Sequence, residues 1–142
     1  MPESRTPAAL AAARATGGLG ALCILDGQGA ALAGVRVEIA DDAQERAQGL
    51  MGRTALPPGT GMLFVYDQAQ VVAFWMHDTL IPLDMIFIDA SGRIARINAH
   101  ARPLDETPIP SGGPVQYVLE LGGGQAAALG LAPGFAVAPL LP

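Results

Sequence analysis

Phe74-Trp75-Met76-His77-Asp78-Thr79-Leu80-Ile81-Pro82-Leu83-Asp84-Met85-Ile86-Phe87-Ile88-Asp89-Ala90-Ser91-Gly92 is the stretch around which the chain is organised. It holds the only tryptophan and two of the four phenylalanines. Two apolar runs flank a polar break. The first, residues 71–76, is apolar on both alternating faces, as in a strand covered on both sides. Trp75 fits there only if its indole N–H finds an acceptor. His77, Asp78 and Thr79 form the break, and Pro82, which cannot donate to a ladder, pushes Ile81 toward extended geometry. The second run, residues 85–88, again reads as doubly buried, with Asp84 at its head. Asp89-Ala90-Ser91-Gly92 is a turn, with glycine where a positive φ is cheap. Residues 84–98 are therefore expected to form a hairpin.

On the N-terminal side, residues 22–25 read as a short strand. Val35, Val37 and Ile39 alternate with Arg36 and Glu38, a half-exposed strand. Asp42 and Glu45 have capping-box spacing. Ala43, Ala47, Leu50 and Met51 then make one apolar helix face that stops at Gly52. Residues 61–66 read as a strand that pairs antiparallel with 71–76. On the C-terminal side, Pro103, Pro108, Pro110 and Pro114 mark a long loop with no regular structure. Val115, Tyr117, Leu119 and Leu121 alternate with Gln116, Val118 and Glu120, so Glu120 reads as a solvated rung. Residues 125–129 read as a short helix and 135–138 as a last strand. The expected fold is β-rich α+β: a single compact, mostly antiparallel β-barrel or sandwich-like domain with two short helices. Residues 20–142 form that domain, and 1–19 read as a flexible tail or leader remnant, too short and broken in apolar character for a good signal peptide.

Composition narrows the function classes. The 142 residues are 51% hydrophobic and 15% charged, which describes a packed chain of one domain. The net charge of −5 argues against nucleic acid as a partner. All eight basic residues are arginine, so lysine Schiff-base chemistry and a Walker-type phosphate loop are excluded. The single cysteine, Cys23, excludes an internal disulfide and a cysteine-built zinc site. No metal site, cofactor or membrane span is expected.

Several linked motifs resemble one known family. They are E-R-A-Q-G-L-M-G-R at 45–53, G-M-L-F at 61–64, F-W-M-H-D-T-L-I-P-L-D-M-I-F-I-D at 74–89, and Tyr117-Val118-Leu119-Glu120-Leu121 followed by a Gly-rich turn and Gly130-Leu131. In this order, over roughly 33–138, they are similar to the domain of unknown function 192. The resemblance implies a small β-rich domain, often exported in bacteria. It supplies no activity. The chain departs from the family pattern at Asp78, where the family usually has Asn, and at Phe135, where it usually has Asp.

The candidate ligand-binding residues are Arg46, Arg53, Trp75, Asp78, Thr79 and Asp84. Arg46 and Arg53 lie two helical turns apart and could clamp an anion through guanidinium forks. Asp84 enters an apolar strand and needs a partner, whether an arginine, backbone N–H groups or the Trp75 N–H. His77 and Asp78 are adjacent and, in an extended chain, would face opposite ways. The expected function is a binding or accessory module with a shallow cleft for a small polar or anionic ligand. A hydrolase-like enzyme using Asp78 or Asp84 with His77, and a protein-interaction module using the Pro-rich loop 102–114, are the alternatives.

Overall fold

A computed structural model describes residues 6–8, 10–11 and 18–141. The chain forms β1 (Gly20–Leu25), β2 (Ala31–Ala40), α1 (Ala43–Gln48), β3 (Thr60–Gln70), β4 (Ala73–Phe74), β5 (Leu83–Ile88), β6 (Ile94–Ala101), β7 (Ile109–Pro110), β8 (Val115–Gly122), α2 (Gln125–Leu129) and β9 (Ala136–Ala138). Seven strands make one sheet in the order β6-β5-β8-β3-β2-β1-β9, and β4 pairs with β7 in a second, two-stranded sheet. The sheet does not close into a barrel. Its two edges meet at one corner, where Arg93 bridges to Ala136 and Ile94 N donates to Phe135 O at 2.8 Å. The β-rich, sandwich-like expectation holds, and so do both short helices.

The hairpin of β5 and β6 is the most local element and forms as expected. Gly92 takes a φ of +81°, and the Asp89 carboxylate accepts from the Ser91 and Arg93 N–H groups. β2 and β3 run parallel, joined by a crossover that carries α1. α1 is shorter than expected and stops at Gly49, whose φ is +48°, instead of at Gly52.

Residues 71–76 differ most from expectation. β3 already has β2 on one side and β8 on the other, so no edge is left for an antiparallel neighbour. Only Ala73 and Phe74 form a strand, against Pro110 and Ile109. The Pro-rich loop therefore carries β7, and it is tied to residues 72–79. Ser111 N donates to Val72 O, Met76 N to Asp105 O and Leu104 N to Thr79 O.

The central strands are covered on both faces. Leu63, Val65, Ile86, Ile88, Leu119 and Leu121 fill one face, with Leu22, Val37 and Val137. Met62, Phe64, Met85, Phe87 and Val118 fill the other, under Leu50, Met76 and the half-buried Phe74. Of the expected tail, residues 1–5, 9 and 12–17 lie outside the described residues. Leu10 is buried in the first cluster, and the Thr6 hydroxyl donates to Asp41 at 2.6 Å. No helix among the described residues is long and apolar enough to cross a membrane.

Candidate functional site

The crossover that makes β2 and β3 parallel lays α1 beside the second apolar face. Residues 73–79 approach the same face from the other side. Between them lies a cleft of about 210 Å³. Phe64 and Tyr66 from β3, Phe74 and Trp75 from the 73–79 segment, Leu50 and Met51 wall it. Its polar lining includes Arg46, Gln48, Thr79 and Glu120. The segment is pinned to the turn that follows α1, because Gly52 N donates to Asp78 O at 2.9 Å.

Arg46 lies over the Tyr66 ring, 5.0 Å from its centroid, and gives Nη1 to Val65 O at 2.8 Å. No carboxylate among the described residues lies within ion-pair distance of it. Its other N–H donors are left for the cleft. Burial raises the Tyr66 phenol pKa, opposed by the Arg46 charge and reinforced by Glu120.

Glu120 is the residue that alternation misplaced. It is 4% exposed, not a solvated rung. Its cross-strand neighbours are Met62 and Met85, so its side chain belongs to the covered face beneath the cleft. It makes no hydrogen bond or ion pair with the described residues. No completely enclosed side-chain polar atom among them lacks a partner, so the Glu120 carboxyl opens on the cleft. Burial pushes its pKa up to about 8. The clue in the sequence was Val118. An apolar residue two positions from Glu120 on the supposedly wet face marks a strand with no wet face.

The structure brings Arg46, Trp75 and Thr79 of the expected set to this cleft, and not Arg53, Asp78 or Asp84. Trp75 is 49% exposed at the rim, with its ring stacked on His77 at 4.7 Å. Thr79 is buried and donates its hydroxyl to His77 O at 3.1 Å. Arg53 forks onto Glu38 with two bonds of 2.8 Å, which lowers the Glu38 pKa and raises that of Arg53. Asp78 has a φ of +51°, and this left-handed turn brings its carboxylate within 3.2 Å of His77 Nε2. The expectation that adjacent residues face apart fails there, because the chain is not extended. His77 Nδ1 pairs with Glu106, and that bond raises the histidine pKa, with Asp78 adding to it. This exposed trio stands outside the cleft lining, apart from the contact of His77 with Trp75.

Asp84 lies on the opposite face of the sheet. Its cross-strand partner is Leu121, a member of the first apolar cluster. It is fully buried, and no arginine meets it. Instead Oδ1 accepts from His100 N at 2.9 Å and Gly124 N at 3.2 Å, and Oδ2 accepts from Ala126 N at 2.8 Å. The backbone N–H alternative is the one realised, and Asp84 serves as the cap for the start of α2. Among the described residues, no group of three or more His, Cys, Asp or Glu side chains is placed to hold a metal ion.

With this geometry in view, comparison with known proteins places the chain. The model of the DUF192 family, described as Uncharacterized ACR, matches residues 24–138. The chain belongs to the DUF192 family. Among curated proteins none matches. Two solved structures are similar. A protein of unknown function from Novosphingobium aromaticivorans DSM 12444 is 41% identical, with 84% of each chain covered and a TM-score of 0.79. A protein from Sinorhizobium meliloti 1021, described as a candidate transcription regulator, is 39% identical, covering 82% of this chain and 90% of that one, with a TM-score of 0.79. The DUF192 fold is thus shared closely with both.

Proposed function

We propose that this DUF192 domain is a small-ligand-binding module, with its site in the cleft between α1 and residues 73–79 and Arg46 as the anchor for an anionic group. The observation that carries this is Arg46 itself. It is an arginine without a carboxylate partner among the described residues, held over an aromatic ring at the mouth of a cleft walled by four aromatic side chains. A guanidinium fixed by one backbone bond keeps its remaining donors in place for a carboxylate or phosphate, at little further entropic cost. The aromatic walls supply apolar area for the ligand body. A volume of about 210 Å³ suits a metabolite rather than a peptide.

Trp75, the only tryptophan, stands at the rim and reports directly. Titration of the parent with small carboxylates and phosphates should change its emission. A ligand at about 100 times its dissociation constant should add about 2.7 kcal/mol to stability. Arg46→Gln should weaken binding at least tenfold. If no small anion at millimolar concentration moves either emission or melting temperature, the reading fails.

The enzymatic alternative loses Asp84, which is sealed on the far face with its acceptors filled. The interaction-module alternative keeps one supporting observation: Leu104 and Leu80 are both exposed, and Leu104 N bonds to the residue before Leu80.

A further inference from the structure

The binding reading uses Arg46 and leaves Glu120 unexplained. Both line one cleft, yet they do not pair, so their charged atoms stand more than 4.0 Å apart. An arginine without an acid and an acid without a base, held apart in one small cavity, describe the two poles of a ligand. Resting on that reading, we propose that the ligand is a small zwitterion of the α-amino-acid type. Its carboxylate lies on the free N–H donors of Arg46, and its ammonium reaches the Glu120 carboxylate, with its side chain against Phe74 and Trp75.

The chemistry of the lining favours a cationic nitrogen at the deep end. A carboxylate beneath aromatic walls is the usual recognition set for an organic cation. The cleft, of about 210 Å³, has room for a small amino acid. The charged and titratable groups that line the cleft with Glu120 are Arg46 from α1 and Tyr66 from β3, of which Tyr66 feels the Glu120 charge. The neighbour of Glu120 on β5 is Met85, and the 73–79 segment contributes Phe74, Trp75 and Thr79, none of which titrates. Burial keeps the free Glu120 protonated through neutral pH. An arriving ammonium replaces that proton, which leaves to solvent, so binding is proton-coupled and tightens as pH rises from 6 to 8.

The test uses the full chain, the standard L-α-amino acids, and for each the carboxylic acid lacking the nitrogen and the amine lacking the carboxyl. Calorimetry in two buffers of different ionisation heat reads both affinity and proton release. The zwitterion should bind at least tenfold tighter than either truncated compound and should release a proton. Glu120→Gln should cost the zwitterion at least tenfold and leave the des-amino acid within twofold. Thermal unfolding of the variant confirms that it is folded, and proton release is measured on the parent alone. If zwitterion and des-amino acid bind equally, with no proton released and no effect of Glu120→Gln, the zwitterion inference is overturned and the Arg46 reading stands. The same holds if carboxylates bind and no amino acid does. Silence from every compound removes both.

Discussion

Glu120→Gln should make the protein more stable at neutral pH, by an amount that the burial of the side chain sets. In the unfolded chain the carboxyl ionises near its ordinary value of 4.5, and in the fold it holds its proton to about 8. Between these values the folded state binds a proton that the unfolded state has released. Stability therefore falls as pH rises through this window, by at most 1.36 kcal/mol per pH unit. The full loss is roughly 4–5 kcal/mol above pH 8, and roughly 3 kcal/mol of it is already present at pH 7. Below pH 4.5 the contribution is intact. Glutamine keeps the shape and never ionises, so the variant should match the parent near pH 4.5 and exceed it by roughly 3 kcal/mol at pH 7. The His77–Glu106 pair acts in the same direction, because a raised histidine pKa gives stability that is lost as pH rises. The readout is therefore the difference between variant and parent, by urea denaturation at pH 4.5, 6, 7 and 8. A difference that does not grow with pH, or a variant less stable than the parent at pH 7, would refute the reasoning.

Three further outcomes are expected. Asp84→Asn should cost roughly 2–4 kcal/mol, because an amide turns N–H donors toward buried backbone donors where the carboxylate accepted three bonds; double mutants with Arg46→Gln and Arg53→Gln should show coupling below about 0.5 kcal/mol, and coupling above about 1 kcal/mol would mean an arginine partner after all. Gly92→Val should cost about 2–3 kcal/mol in thermal unfolding, since φ is +81° and an added Cβ would meet Leu140 O at 2.6 Å; an unchanged midpoint would show that the turn is built another way. Arg53→Gln should cost no more than about 1 kcal/mol, less at high salt, because its pair with Glu38 is well exposed; it should leave ligand titrations of Trp75 unchanged.

What could be read from the sequence was what local chemistry decides. The β5–β6 hairpin follows from Asp89 and Gly92 alone, and α1 follows from the Asp42 cap, whose carboxylate accepts from Glu45 N at 2.7 Å. What could not be read depends on which strands share an edge. Residues 71–76 look like a doubly covered strand, but the edges of β3 were already taken by β2 and β8. Trp75 consequently ends at a cleft rim instead of in the core. The parallel pairing of β2 and β3 put α1 over a sheet face, and that face is where Glu120 points. Of the candidate site, Arg46 is legible from its guanidinium chemistry, whereas Trp75 and Thr79 are legible only from their place beside and within the polar break at 77–79. Glu120 is not legible from alternation, which does not distinguish a wet face from a covered one; Val118, two positions away, is the one local sign that the face is covered. The pairing of His77 with Asp78 needed a positive φ at a non-glycine residue, which no periodicity announces.

Asp84 and Glu120 together give the strongest reason to look for a ligand. They sit on adjacent central strands, each beside the other's neighbour: Asp84 opposite Leu121, and Met85 opposite Glu120. Both are almost entirely removed from water. On one face the fold brings three backbone N–H groups to a carboxylate and leaves none of its charge unanswered. On the other, within the same sheet, a carboxyl lies between methionines and aromatic rings with no hydrogen bond or ion pair to the described residues, in a cleft that Arg46 and Tyr66 also line. An unanswered acid at that depth costs stability across the neutral range, and a glutamine or a leucine would remove the cost. A chain able to satisfy Asp84 so fully has no structural need to leave Glu120 unmet. On the proposed reading, the missing partner is a ligand that enters through the cleft that Arg46 lines.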